Sequence, residues 1–201
     1  MEGYKGFYKT DNKLIVKDTF SQQRIVGEKY FLDDDREIKY GGDTEGCNFG
    51  HGFHFSNSIS NTMPHFRMAI TSDEYVAAKI ETFGEVVESK MESGCYATRG
   101  YQIIKLLNHS DIINVIENNI SSMESVKILC HYSCIMRDIE KERILNAYNK
   151  LLKKYAEDFE ENWLNIYCLY EGIMFLTKLE YEYYNTDDKK GYSKKLIKNF
   201  N

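Results

Sequence analysis

The sequence predicts an α+β protein, with a β-rich N-terminal domain over residues 1–108 and a C-terminal antiparallel module of three to four helices over 109–201. Its sheet is expected to be mixed or antiparallel. From Tyr4 to Leu107 short apolar or alternating runs are cut by Gly, Asn and Asp clusters, the pattern of strands and turns. After Asn108 apolar residues recur at three- and four-residue spacings, which is helical periodicity. Of the 201 residues, 42% are apolar and 28% charged, enough to build a core. Only 13 Gly and one Pro, with 14% aromatic residues, exclude collagen-like and disordered chains.

Lys5–Lys9 and Leu14–Val16 flank Thr10-Asp11-Asn12-Lys13, a hairpin turn in which Asp and Asn tolerate left-handed backbone. Further strands are expected at Arg24–Val26, Lys29–Leu32, Gly52–Phe55, Tyr75–Phe83 and Tyr96–Leu107, with a short helix within 57–66. Residues 33–50 form a polar loop too long for a hairpin turn, and such loops are functional or mobile. In the second half Ile112, Ile113, Ile116 and Ile120 follow Ser110 as an N-cap. Ser121-Ser122-Met123-Glu124 matches a capping box that starts the next helix. Residues 139–155 place Ile144, Leu145, Tyr148, Leu151, Leu152 and Tyr155 on one face. A fourth helix runs from Asp158 through Tyr184, apolar around most of its circumference and therefore central. The tail from Lys189 holds five lysines and no acid, and reads as a frayed basic end.

With 26 basic and 31 acidic residues, the net charge of −5 is too small and too mixed for wholesale phosphate neutralisation, so direct nucleic-acid binding is not expected. No apolar run reaches the roughly 18 residues that span a bilayer, and Met1–Lys5 leads into a polar-aromatic segment without a signal-peptide core. A cytoplasmic protein with no membrane contact is expected. The five cysteines are odd in number and scattered, which fits reduced thiols rather than a disulfide framework. Lysine outnumbers arginine 20 to 6, a bias of A+T-rich coding DNA that points to a low-GC microbe or its viruses.

The densest chemistry lies in residues 46–56, where Cys47, His51 and His54 sit close together with His65 nearby. Thiolate and imidazole suit Zn²⁺, but C-x3-H-x2-H is not a usual structural knuckle, so no metal or other cofactor is assigned. Alternation in Gly52-Phe53-His54-Phe55 turns both phenylalanines to a core and His54 to the other side. Asp33-Asp34-Asp35 with Glu37 lacks EF-hand spacing and reads as a solvated turn. Cys130 and Cys134, four apart on a helix, fall on the core stripe and read as packing. No P-loop, nucleophile elbow, H-E-x-x-H or dinucleotide fingerprint occurs, and no catalytic residue is assigned. The 16 tyrosines, four of them between residues 170 and 184, suit a protein-binding face. Tyr4, His51, His54, Tyr170, Tyr181 and Tyr184 are the candidate binding residues.

Tyr4-Lys5-Gly6-Phe7, Val26-Gly27-Glu28-Lys29-Tyr30 and Gly52-Phe53-His54-Phe55 resemble the elements of an uncharacterised domain family of phages, bacteria and giant viruses. Its core is G-F-H-F-C, with Ser56 here in place of the cysteine. The segment from Ala78 to Val86 and the strand from Thr98 to Leu107 are similar in order and spacing, so the resemblance covers about residues 4–107. It implies an α+β domain of phage origin and no particular reaction. A phage or mobile-element accessory protein is therefore expected, which binds a host protein or nucleoprotein complex in the host cytoplasm. The concrete version is an inhibitor of a host defence system such as a CRISPR nuclease. Gly50-His51-Gly52-Phe53-His54 also resembles the pocket strand of ADP-ribosyltransferases, and the alternative expectation is an ADP-ribosyl-transferring or NAD-cleaving enzyme using residues 50–56.

Overall fold

Alternation in the first ten residues sets the architecture, because Gly3, Lys5 and Phe7 turn to one side of a single extended strand. The computed structural model describes residues 1–10, 13–15, 23–41, 50–62, 75–118, 122–135, 141–177 and 189–200. Within them the strands are β1 (Glu2–Thr10), β2 (Lys13–Ile15), β3 (Gln23–Arg24), β4 (Lys29–Phe31), β5 (Phe53–Ser56), β6 (Tyr75–Glu88) and β7 (Cys95–Leu106). The helices are α1 (Ile59–Thr62), α2 (His109–Asn118), α3 (Met123–Ile135), α4 (Lys141–Glu157), α5 (Phe159–Thr177) and α6 (Lys189–Phe200). The chain divides into two compact units, Met1–Asn108 and His109–Asn201.

All described strand pairs are antiparallel, and they close on themselves as a small barrel. β1 pairs with β6 from Glu2↔Glu81 to Tyr8↔Tyr75, and β6 with β7 from Ala78↔Leu106 to Glu88↔Tyr96. β7 pairs with β5 from Phe53↔Thr98 to Ser56↔Cys95, and β5 returns to β1 at Tyr4↔Ser56. Beyond β5, β4 continues along the same edge of β7 with Tyr30↔Tyr101, while β2 and β3 extend from β1. The curvature comes from register shifts in the β6–β7 hairpin at Lys79/Ile80 and Phe83/Val86. An extra residue bends a strand and increases its twist. At the second shift Gly84 has φ 76°, a left-handed conformation that a side chain would strain.

The barrel is filled by Phe7, Leu14, Phe55, Ala78, Ile80, Tyr101 and Ile103, with Tyr30, Phe53, Val76 and Tyr96 packed against them. Two cationic side chains are buried as well. Arg24 donates from Nε to Tyr101 Oη at 3.0 Å and lies 4.6 Å from the centroid of Tyr30. Lys5 Nζ donates to the His54 carbonyl at 2.6 Å, 5.7 Å from the centroid of Tyr101. Burial of charge is costly, and such donor and ring contacts offset it.

In the helical unit α5 packs against α3, α4 and α6, the central place expected of a helix apolar nearly all round. α4 buries Ile144, Ala147, Tyr148, Leu151, Leu152 and Tyr155, and Tyr148 Oη donates to the Leu129 carbonyl at 2.7 Å. Two sequence expectations need correction. The α3 cap is Ser122 rather than Ser121, since Ser122 Oγ accepts the Ser125 amide at 3.2 Å. The basic tail is the helix α6, docked on α5 through Ser193 Oγ to the Trp163 carbonyl (3.0 Å) and Lys190 to Glu160. With α6 the described residues hold five helices after Asn108, roughly the three- to four-helix module expected with its tail added. Residues 178–188, where the fourth helix was expected to end, lie outside the described residues. No described helix is long and apolar enough to cross a membrane.

Ile103 is completely buried at the centre of the barrel. Ile103→Ala is expected to destabilise the N-terminal unit by about 2–5 kcal/mol, the ordinary cost of an aliphatic cavity, read from a urea titration.

Candidate functional site

The chain after β4 crosses the outside of the barrel and is fastened there by one side chain of β7. Arg99 Nη1 donates to the Asp34 carbonyl (2.5 Å), and Nη2 donates to the Arg36 carbonyl (2.7 Å) and lies 3.3 Å from Glu85 Oε2. The Leu32 amide also donates to the Arg99 carbonyl at 3.0 Å. A guanidinium suits this work, because its planar fork presents several donors at once. The segment it holds carries a satellite core of Ile38, Tyr40, Cys95 and Ala97, with Leu32 and Val87 around it. Cys95 and Ala97 therefore face this segment, whereas Tyr101 and Ile103 on the same strand face the barrel.

Asp34 organises the start of the segment. Its Oδ1 accepts the Arg36 amide (3.1 Å), and its Oδ2 accepts Arg36 Nε (3.2 Å) and Nη2 (2.8 Å). His51 Nε2 lies 2.8 Å from Asp34 Oδ1. The Arg36 guanidinium, helped by the Arg36 amide and His51, holds the Asp34 carboxyl down at about 2, against the weaker pull of desolvation. An ionised carboxylate only accepts, so His51 Nε2 carries the proton of this contact.

His54 takes the opposite role. The Gly41 amide donates to His54 Nε2 at 3.2 Å, so that nitrogen bears a lone pair, and the imidazole stacks on Tyr40 with centroids 4.6 Å apart. Tyr40 Oη donates to Glu92 Oε2 at 3.0 Å, and burial, reinforced by Cys95 and Glu92, pushes its hydroxyl pKa well above the ordinary value. Lys39 and His51 exchange both backbone hydrogen bonds, at 2.8 and 2.9 Å, which brings residues 39–41 against 50–51. A Cβ at Gly50 would collide with the backbone of Lys39, Tyr40 and Gly41, so this approach requires glycine. On the other side of β5, Phe53 packs edge-on to Tyr101 at 4.9 Å and Phe55 stacks on Tyr96 at 5.3 Å. His54 thus faces away from the barrel core, and Tyr40 covers it.

Of the six candidate binding residues, the structure brings together His51 and His54. Tyr4 sits half-buried on β1 between Ser56 of β5 and Lys79 of β6. Tyr170 is half-buried on α5, in the other unit. Tyr181 and Tyr184 lie outside the described residues, as do Cys47 and His65. Among the described residues no group of three His, Cys, Asp or Glu side chains is placed to hold a metal. The expected solvated acidic turn contains a residue, Asp34, with specific arginine and histidine partners. Sequence reasoning missed Arg99 and Tyr40, whose partners are distant in the chain, and Arg36, whose partner Asp34 is two residues away but was read as part of a solvated turn. It also missed a set of half-exposed apolar side chains at the β3–β4 turn and beside it. Ile25 and Val26 are 47% and 45% exposed, Phe31 is 51%, and Ile104 also stands out. No protein-family model matches this chain, and no curated protein or solved structure matches it with significance.

Asp34→Asn should lower stability at neutral pH by removing the charge and the second oxygen on which the Arg36 guanidinium contacts rest. The folded pKa of Asp34 is depressed, so its contribution is fully present above the ordinary value of 3.8 and is lost as pH falls through about 2. Denaturant titrations of the two proteins should therefore converge over that interval. A difference that stays constant down to pH 2 would contradict the assignment.

Proposed function

We propose that the chain is an accessory protein of a phage or mobile element that binds a host protein or nucleoprotein complex in the host cytoplasm and acts by covering its surface. Inhibition of a host defence nuclease, of the CRISPR type for example, is the concrete form of this reading. The observation that carries it is the exposed apolar set on the β3–β4 side of the barrel. Phe31 is held in place by stacking on Phe83, with centroids 6.0 Å apart and an interplanar angle of 10°, and Lys29 Nζ lies 5.6 Å from the Phe83 centroid. Ile25 and Val26 occupy a turn tied to β7 by the Gly27 amide to the Ile103 carbonyl (2.9 Å) and by Gln102 Nε2 to the Gly27 carbonyl (2.6 Å). Exposed apolar side chains on so well-fixed a support suit a hot spot, since little conformational entropy remains to be lost on binding. The backbone adds to this. Leu32 directs its amide to β7, so by alternation Lys29 and Phe31 direct theirs to the side of β4 that has no strand partner among the described residues, where an extended segment can pair. The resemblance of residues 4–107 to the phage-type domain supports the same reading.

The test is capture from lysates of a low-GC host, with and without phage infection, by the full chain and by the double variant Ile25→Asp/Phe31→Ala. The wild type should retain one partner at about stoichiometric yield. The variant should bind it at least about 30-fold more weakly, as loss of a hot spot requires, with an unchanged circular dichroism spectrum. Equal retention by both proteins would remove this face from the interaction, and the lack of any saturable partner would remove the binding reading. NAD⁺ turnover by the wild type that falls on His54→Ala would replace it with the transferase reading.

A further inference from the structure

We propose that Cys130 and Cys168 are a disulfide-forming pair, a site of reversible thiol oxidation that joins α3 to α5 when the protein meets a low-molecular-weight disulfide. The two residues are 38 apart in sequence and meet because α3 packs on α5. Cys130 Sγ donates to the Cys168 carbonyl at 3.1 Å, a contact that sets its sulfur against Cys168. In the sequence Cys130 and Cys134, four apart, read as packing; the meeting of α3 and α5 sets Cys130 beside Cys168. Both are half-buried thiols, within reach of a small reagent. Cys95, by contrast, is buried between β5 and the Tyr40 segment, its Sγ 3.7 Å from Ser56 Oγ.

The surroundings assign an order to the two sulfurs. The single Cys130 proton, given to the Cys168 carbonyl while Cys168 is a thiol, turns to its sulfur when Cys168 ionises and draws the Cys168 pKa down to about 7, with help from Lys189 on α6 and against burial and Glu171. Cys168 is therefore the attacking thiolate, because the thiolate is the nucleophile in exchange. Its sulfur bonds to one sulfur of a disulfide RSSR and the S–S bond of the reagent breaks, releasing RS⁻, which takes up a proton. Cys130 then loses its proton to solvent and attacks Cys168 Sγ, which expels the second RS⁻. The balance is two protein thiols and one RSSR giving one protein disulfide and two RSH, with the reagent reduced by two electrons. Excess dithiol reverses it.

The test is incubation of the full-length protein with glutathione disulfide, followed by thiol counting and non-reducing peptide mapping. Of the five thiols in the chain, two should be lost with no glutathione retained, and the peptide holding Cys130 and Cys134 should be linked to the peptide holding Cys168. Cys134→Ser should keep that link. Cys130→Ser should abolish it and leave glutathione on Cys168. A bond between Cys130 and Cys134, a stable glutathione adduct on wild-type Cys168, or no loss of thiols would each overturn the proposal. Chymotryptic cleavage after Tyr132 separates Cys130 from Cys134, so mapping of the wild type decides the question even if a variant fails to fold.

Discussion

The N-terminal unit depends on one strand serving three partners. β7 pairs with β6 along its whole length on one edge, and with β5 and then β4 along the other. A strand so placed has to change the side it presents, because its first residues support the 38–40 segment and its later ones fill the barrel. The β6 bulge at Gly84, opposite Arg99, coincides with that change. Tyr101 comes immediately after it. Its buried ring meets Phe7, Tyr30 and Phe53, and its hydroxyl accepts from Arg24. Arg24 is the last residue of β3 and Tyr30 the middle of β4, so these contacts fix both arms of the β3–β4 turn from inside.

This has consequences on both sides of the sheet. Outside β4 the apolar residues of the proposed binding face stand on a support whose anchor is a buried cation. Around Arg99 the segment 32–41 is held by carbonyl contacts rather than by strand pairing, with the isolated Lys39–His51 bridge as its second attachment. The two histidines of the G-H-G-F-H run then have distinct duties. His51 donates to a carboxylate whose charge Arg36 stabilises, and His54 accepts a backbone amide beneath an aromatic ring. Both Nε2 atoms are thus committed to holding the segment on the barrel.

Much of the secondary structure was legible because periodicity is local. The alternation Phe53-His54-Phe55, the α4 stripe from Ile144 to Tyr155 and the apolar circumference of α5 each report an environment through the chain's own spacing. Strand ends were less legible. β6 runs on to Glu88 because Gly84, which reads as a breaker, serves as a bulge inside the hairpin. The α6 helix was hidden by its lysines; among the described side chains its docking contacts are Ser193 on the Trp163 carbonyl and the ion pair of Lys190 with Glu160, neither of which a run of letters announces. The candidate site was legible only as a cluster of residue types. Its geometry depends on Asp34 with His51, Tyr40 with Glu92 and Arg99 with Asp34, contacts separated by 17 to 65 residues, about which neighbouring letters carry no information. The same holds for Cys130, whose partner lies two helices away.

The central claim is that a contact inside the barrel holds the working face outside it, and amide hydrogen exchange of Tyr101→Phe tests this most directly. The substitution removes only the hydroxyl that accepts from Arg24, a hydrogen bond to a charged group worth about 1.5–3 kcal/mol. The account predicts that the Gly27 and Leu32 amides, bonded to Ile103 and Arg99, exchange about 10-fold faster or more, while those of the β1–β6 pairing keep their protection. Unchanged exchange at Gly27 and Leu32, or an equal loss of protection throughout the barrel, would contradict it.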